Sequence, residues 1–354
     1  MQAGSDRPLT DDEIAVINAF QGGFPIVADP YGTAAAALTD HGVQIDADTL
    51  AATIRELTQD GVLSRFGALI NAEAIGGAAT LVAMHAPLEH FDSITAAVNS
   101  HDEVAHNYER EHPHLNMWFV VSVAEPEEVG PVLDAIAAET GQTPYNLPKQ
   151  REFRVEAKFP LAGPLAEAEI DLSDVGGPAP APVSGPLTAA DRKLLVEIQD
   201  GFPLGRRPYA AIADALDTDA AWVRERLRAL LAAGMLRRIG VIPNHYRLGY
   251  SHNGMTVWDV PDDAVERVGA AVAELPFVTH CYERPRHAGV WPYNFFAMTH
   301  GRSADESAAR IDEVATVMRE HFDVDARGWD TLFSSQILKK TGIRIADRLE
   351  SAAA

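Results

Sequence analysis

The sequence predicts an α+β chain built as a tandem duplication. Each copy joins a winged helix-turn-helix module to a ferredoxin-like βαββαβ module. Three observations lead there: short motifs recur in fixed order, each copy passes from helical period to strand–helix alternation, and a proline-rich stretch separates the copies. Leu9-Thr10 returns as Leu187-Thr188, Phe24-Pro25 as Phe202-Pro203 and Pro30-Tyr31 as Pro208-Tyr209, each 178 residues on. Arg65-Phe66-Gly67 answers Arg238-Ile239-Gly240 at 173 and His106 to Arg110 answers His280 to Arg284 at 174, while Asn116 answers Asn294 at 178. An offset that drifts by a few residues while the order holds is the mark of a duplicated unit with loop insertions.

In the first copy, Thr10 caps a helix with Ile14, Ile17 and Phe20 on one face and Asp11, Asp12 and Glu13 in its first turn. Gly22-Gly23 ends it. Tyr31 to Leu38 reads as a short Ala-rich helix, and Asp46 or Asp48 starts a third with Leu50, Ile54 and Leu57 on one face. Val62 to Asn71 reads as a pair of short strands, which completes a winged helix-turn-helix over 1–78. Residues 79–160 follow as strand Thr80 to His85, helix Phe91 to Val98, strands Val104 to Tyr108 and Met117 to Val123, helix Glu127 to Thr140 and a strand near Phe153. Leu161 to Pro186 holds five prolines, four acidic residues and no basic one, and reads as a linker spanning ~28 Å as a flexible coil. The second copy repeats the plan: helices around Leu194, Tyr209 to Leu216 and Val223 to Leu230, then strands in Met235 to Pro243, within 187–250. Its βαββαβ, within 251–354, runs Gly254 to Val260, Val265 to Glu274, Val278 to Tyr282, Asn294 to Thr299, Ala304 to Phe322 and Thr331 to Leu338.

Composition narrows the function. The chain has 354 residues, 29 Lys plus Arg against 51 Asp plus Glu, and a formal net charge of −22. Such a chain is a poor general partner for nucleic acid or an anionic membrane. One cysteine, Cys281, excludes a disulfide framework and a cysteine-ligated zinc or iron–sulfur site within one chain. The start shows no apolar targeting region and no stretch reads as membrane-spanning, so the expected location is the cytoplasm. Nucleotide, serine-hydrolase and zinc-hydrolase motifs are missing. A DNA-reading helix needs cations and amides toward bases. The first candidate, Asp48 to Leu57, offers Arg55 alone, and the second offers Arg224, Arg226 and Arg228 around Glu225. No specific DNA binding is expected.

The chemistry concentrates in two matching runs. Four of 13 histidines, His101, His106, His112 and His114, fall within 101–114 together with Arg110, and the second run holds His280, Arg284, Arg286 and His287. The period of two places His106, Tyr108 and Arg110 on one strand face, and likewise His280, Tyr282 and Arg284. A single histidine here is as readily a hydrogen-bonded structural residue, and His112 with His114 admits a metal reading. A guanidinium is a poor neighbour for a bare cation, so the mixture favours an anionic ligand clamped by arginine, with proton exchange by histidine. Trp118, Phe119, Trp291, Tyr293, Phe295 and Phe296 serve either as core or as walls for a flat ligand. Cys281 and His280, as strand neighbours, point to opposite faces and do not make a nucleophile pair.

Helix-turn-helix followed by βαββαβ is the plan of Lrp/AsnC regulators. The runs GFPIVADPY, DGVLSRFGALIN, HNYEREHPHLNMWFV, GFPLGRRPY, RRIGVIPNHYRLGY, HCYERPR, WPYNFFAMTHG and LKKTGIR resemble the siroheme decarboxylases of haem d1 and alternative haem biosynthesis, in the form where two subunit types are fused. The resemblance implies conversion of siroheme to 12,18-didecarboxysiroheme with release of two CO2. It implies no cofactor and no protein-bound metal beyond the iron of the substrate, pairing of the two halves, and a possible homodimer. It also implies two essential histidines, for which His106, His112 and His280 match best. Substrate contacts would come from Tyr108, Arg110, His114, Asn116, His245, Tyr282, Arg284, Arg286, His287, Trp291 and Asn294. The alternative is a ligand-sensing transcription regulator of the same architecture.

Overall fold

The computed structural model describes residues 7–340 apart from 169, 171, 173, 174 and 179. The first copy runs α1 (Asp11–Phe20), α2 (Pro30–Asp40), α3 (Ala47–Gln59), β1 (Leu63–Ile70), β2 (Ala78–Met84), α4 (Phe91–Ser100), β3 (Val104–Arg110), β4 (Met117–Val123), α5 (Val129–Thr140), β5 (Tyr145–Pro148) and β6 (Arg151–Val155). The second runs α6 (Ala189–Ile198), α7 (Pro208–Ala215), α8 (Ala220–Ala232), β7 (Leu236–Pro243), β8 (His252–Trp258), α9 (Val265–Ala273), β9 (Val278–Glu283), β10 (Phe295–Gly301), α10 (Ala304–Arg319), α11 (Val324–Arg327) and β11 (Trp329–Lys340). Among the described residues the chain groups by module type rather than by copy: 7–76 with 158–248 form a helical unit, and 77–157 with 249–340 a sheet unit. Among the described residues no helix is long and apolar enough to cross a membrane.

In the helical unit Thr10 caps α1 as the sequence predicts, and Glu13 closes a capping box, its Oε2 accepting from the Thr10 amide at 2.8 Å. Thr188 and Asp191 repeat it. The expected strand pair in each copy is corrected. Each copy contributes one strand, and β1 pairs antiparallel with β7 from the other copy. The sequence gives no turn that would fold 62–71 back on itself, so the ladder is completed by the second copy. Gly67 and Gly240 face each other in this ribbon. A Cβ on Gly240 would lie 2.3 Å from the Phe20 carbonyl oxygen, so the repeated Arg-x-Gly motif is a backbone contact requirement. Phe24, Phe66, Phe202 and Tyr209 join edge to face between the copies, with centroids 4.9 to 5.8 Å apart, and Tyr209 Oη donates to the Pro25 carbonyl at 2.7 Å. Each such ring pair adds about 0.5–1.5 kcal/mol beyond area burial. The paired Phe-Pro and Pro-Tyr motifs are therefore one core.

The linker is not a free coil. Asn18 Nδ2 donates to the carbonyls of Leu161 and Pro164, both at 2.9 Å, and Arg228 donates to the carbonyls of Gly176 at 2.7 Å and Pro178 at 2.6 Å. Prolines remove donors but leave carbonyls, and those carbonyls are what the helical unit grips.

The sheet unit has nine strands in the order β5-β2-β4-β3-β11-β8-β10-β9-β6. Each half of that order is the ferredoxin-like arrangement, first strand beside fourth and third. The strand near Phe153 is corrected. It is not the closing strand of the first module; β5 is, and β6 crosses to pair with β9 of the second copy. β11 does both in one strand: Trp329 to Phe333 pair with β8, and Ser334 to Lys340 pair with β3 of the first copy. The exchange is reciprocal. Phe153 of the crossing strand fills the space a Cβ on Gly269 would take, 2.4 Å from its ring, which accounts for a glycine inside α9.

Three apolar clusters fill the unit. One lies between the first copy's sheet and α4 and α5, and another between the second copy's sheet and α9 and α10. The third draws on both copies, with Ala83, Trp118 and Leu147 packed against Met255, Trp291, Phe296 and Leu332.

Candidate active site

Alternation along β3 decides what faces where. Asn107 is buried and its Nδ2 donates to Asn99 Oδ1 of α4 at 3.0 Å, so His106 and Tyr108 point to the opposite sheet face. On β9 Cys281 is buried in the helix-side core, and His280 and Tyr282 point away from it. Burial pushes the Cys281 thiol well above the usual range, so it is not a nucleophile here.

Two like triads result. The rings of His106 and Tyr108 stack with centroids 6.2 Å apart, and the Arg110 guanidinium lies 5.5 Å from the Tyr108 centroid. His280 and Tyr282 are 6.0 Å apart, with the Arg284 guanidinium 4.9 Å and the Lys149 ammonium 5.9 Å from the Tyr282 centroid. Each triad leans on the other copy. Arg110 Nη1 donates to the carbonyl of Leu332 in β11 at 2.8 Å, and Arg284 Nη1 to the carbonyl of Leu147 in β5. Their strands are paired by β11 and β6 in the same crossed sense.

His112 lies in the loop after β3. Its Nδ1 accepts from the amides of Leu115 at 2.8 Å and His114 at 3.2 Å, which puts its proton on Nε2. Its ring stands edge-on to Trp291 at 5.6 Å, so runs from the two copies meet there. Burial lowers its pKa below the ordinary imidazole value, and the neighbouring His114 lowers it further against Asp330. His114 is exposed. With Nδ1 of His112 bound to backbone, the His112–His114 metal reading loses a ligand atom. Among the described residues no group of three or more His, Cys, Asp and Glu could hold a metal ion.

Several residues expected to contact substrate have partners within the protein. Arg286 is not a free carboxylate clamp: it binds Asp259 at 2.6 Å, Asp262 at 2.6 Å and the carbonyls of Val260 and Pro292. Although burial opposes its charge, these hydrogen bonds hold its pKa up. Asn116 exchanges two hydrogen bonds with the backbone of Ala86 at 2.8 Å, and Asn294 does the same with Val260 at 2.9 and 3.1 Å. Both fix a loop to a strand end. Trp291 is 1% exposed, inside the shared core with Trp118 5.1 Å away, so it is packing. His287 Nε2 donates to the Asn146 carbonyl at 2.8 Å, tying the long second loop to β5. His245 belongs to the helical unit, where its ring stacks on Phe159 at 5.2 Å. In the LKKTGIR run, Lys339 Nζ donates to the carbonyls of Asn99 and His101, while 341–344 lie outside the described residues.

One group escaped the sequence reading. Thr279 Oγ1 lies 2.9 Å from His280 Nδ1 and 2.9 Å from Nε2 of the buried His300, whose Nδ1 is 2.7 Å from Asn253 Oδ1. Reading the two copies against each other would have found it. The positions matching Thr279, His300 and Asn253 are Ala105, Ser122 and Ala79, and Ala79 faces Ser122 across the ladder as Asn253 faces His300.

Residues 74–154 and 247–339 match the family of AsnC-like ligand binding domains, and 191–237 match the siroheme decarboxylase NirDL-like HTH domain. A siroheme decarboxylase NirDL subunit of Paracoccus pantotrophus is 32% identical over 96% of this chain and 98% of its own length. The crystal structure of the siroheme decarboxylase NirDL superposes with a TM-score of 0.66 at 28% identity, covering 97% of this chain and 99% of that one. A co-complex of that enzyme with an iron-uroporphyrin III analogue superposes with the same TM-score at 27% identity and equal coverage.

Proposed function

The chain belongs to the fused siroheme decarboxylase NirDL family, and from that premise we propose that it converts siroheme to 12,18-didecarboxysiroheme with the two triads as its working groups. The observation that carries this reading is the doubled imidazole–phenol–guanidinium constellation, each copy anchored by the other copy's strand. Siroheme is flat and rich in carboxylates, and the related enzyme binds an iron-uroporphyrin analogue. The iron enters with the substrate, and the reading calls on no further cofactor.

Each acetate side chain must exchange a carboxylate for a proton: the bond between methylene carbon and carboxyl carbon breaks, CO2 leaves, and the methylene becomes methyl. The electrons of the broken bond need a sink. Protonation of the macrocycle beside the acetate makes one, and return of a proton to the methylene carbon closes the step, so each acetate consumes one proton overall. His106 and His280 are the proton donors in this reading. Arg110 and Arg284, each held by a backbone carbonyl of the other copy, orient spectator carboxylates in this reading. A tight salt bridge to the departing carboxylate would stabilise the ground state and slow its loss. The test is anaerobic incubation with siroheme, followed by mass analysis of the tetrapyrrole. Loss of two CO2 is expected, and quantitative recovery of intact siroheme would sink the reading.

A further inference from the structure

We infer that Thr279, His300 and Asn253 form a one-way hydrogen-bond chain that fixes His280 as the Nδ1–H tautomer, a chain whose three residues the first copy does not repeat. The inference rests on the assignment of His280 as a proton donor. The direction of the chain follows from its far end. Asn253 Nδ2 donates to the carbonyl of Tyr250 at 3.1 Å. A carbonyl only accepts, so the amide nitrogen must face Tyr250 and the amide oxygen must face His300. That oxygen also only accepts, so the proton on His300 sits on Nδ1, 2.7 Å away. His300 is 5% exposed, and Arg310 donates to its own backbone carbonyl. A second proton there would bury a charge beside a guanidinium. Nε2 of His300 therefore accepts, and the donor is the Thr279 hydroxyl at 2.9 Å. With its only hydrogen committed, Thr279 Oγ1 can meet His280 Nδ1, also 2.9 Å away, only as an acceptor. His280 Nδ1 carries a proton, and Nε2 is the nitrogen that gains and loses one.

Thr279 and His300 are thus positioning residues. Holding an imidazole in one tautomer and one orientation is what an acidic partner does for a catalytic histidine elsewhere, and loss of that control costs rate more than binding. In the first copy Ala105, Ser122 and Ala79 stand at the equivalent positions, so the same Thr–His–Asn chain is not repeated there.

The test uses the full-length protein labelled with 15N-histidine, with His280 ring signals identified by their loss in His280→Gln. Long-range 1H–15N spectra of the wild type should show His280 as Nδ1–H. Thr279→Val should move it to Nε2–H or a mixture and lower kcat for siroheme about 10–100-fold with KM little changed, and Thr279→Ser should restore both. Ser122→Ala in the first copy should leave kcat within about twofold, as expected of a side chain outside any such chain. A wild-type His280 in the Nε2–H form overturns the inference. So does a Thr279→Val protein with wild-type tautomer and kcat, and so does a Ser122→Ala loss as large as that of Thr279→Val, which would make the effect that of any buried strand hydroxyl. The tautomer measurement needs no substrate. A wild-type protein that shows the Nδ1–H form and leaves siroheme intact would fail the proposed function and not the chain.

Discussion

His106 and His280 occupy matching points of matching strands, each beside a tyrosine that carries a guanidinium over its ring. Both rings are half-buried on the sheet face turned away from the helices, so replacing either removes a proton donor and only part of a packed side chain. His106→Ala and His280→Ala should each lower siroheme turnover by about 100-fold or more, with thermal unfolding followed by circular dichroism close to wild type. Wild-type turnover in both variants would end the proton-donor assignment. His112 behaves differently. Burial holds its folded pKa below its unfolded value, so the unfolded chain binds more protons as pH falls through that window. Its contribution is present above about pH 6.5 and is lost as pH falls through the lower folded pKa. His112→Asn keeps an acceptor for the Leu115 amide and removes the titration. Melting curves at pH 7 and pH 5 should therefore show a larger acid-induced drop in Tm for wild type than for the variant, and equal drops would show that His112 does not couple folding to pH.

At the scale of elements, the Thr10 cap, the amphipathic helices and the like-facing triads were legible because each follows from local spacing. The pairing of β1 with β7 was not, because a ladder partner has no signature in the strand that seeks it. Arg65-Phe66-Gly67 and Arg238-Ile239-Gly240 did record it, as glycines that a simple strand would not choose. Gly240→Ala should force β7 off the end of α1 and destabilise the helical unit by about 1–3 kcal/mol, read as a lower urea midpoint. Gly205→Ala, where an added Cβ meets nothing, should stay within about 0.5 kcal/mol. The same unit bears on DNA. On α8, Arg226 is paired with Asp191, and Arg228 is bound to linker carbonyls. Burial raises the Asp191 carboxyl, and its hydrogen bonds to Arg226 and Thr188 more than offset this, so the pair stays ionised. Two of the three arginines that a major-groove reading requires are thus engaged elsewhere. Mobility-shift titrations against the promoter region upstream of its own gene should show only weak, salt-sensitive association, and a nanomolar footprint at physiological salt would restore the regulator reading.

For the whole molecule, the repeat predicted two copies, but only the structure shows that they exchange strands. The hydrophobic pattern of Arg151 to Val155 fits an edge strand of either module, so nothing local could assign it. The same holds for Arg286 and Asn294: spacing put them in the cleft run, while their partners, Asp259 and Val260, lie more than 25 residues back in the chain. Exchange has a consequence for activity. Residues 1–160 alone retain β6 without β9 and β3 without β11, and residues 187–354 alone face the reverse loss. Each half would also expose its side of two aromatic contacts, Phe66 with Phe202 in the helical unit and Trp118 with Trp291 in the sheet unit. Each triad would lose the carbonyl, Leu332 for Arg110 or Leu147 for Arg284, that aims its guanidinium. The two halves expressed separately should therefore be inactive and tend to self-associate through their unpaired edges. Mixed, they should recover decarboxylation in step with formation of a one-to-one complex, measured by analytical ultracentrifugation beside turnover. Full activity from either half alone would mean that a triad works without the strand the other copy lends it.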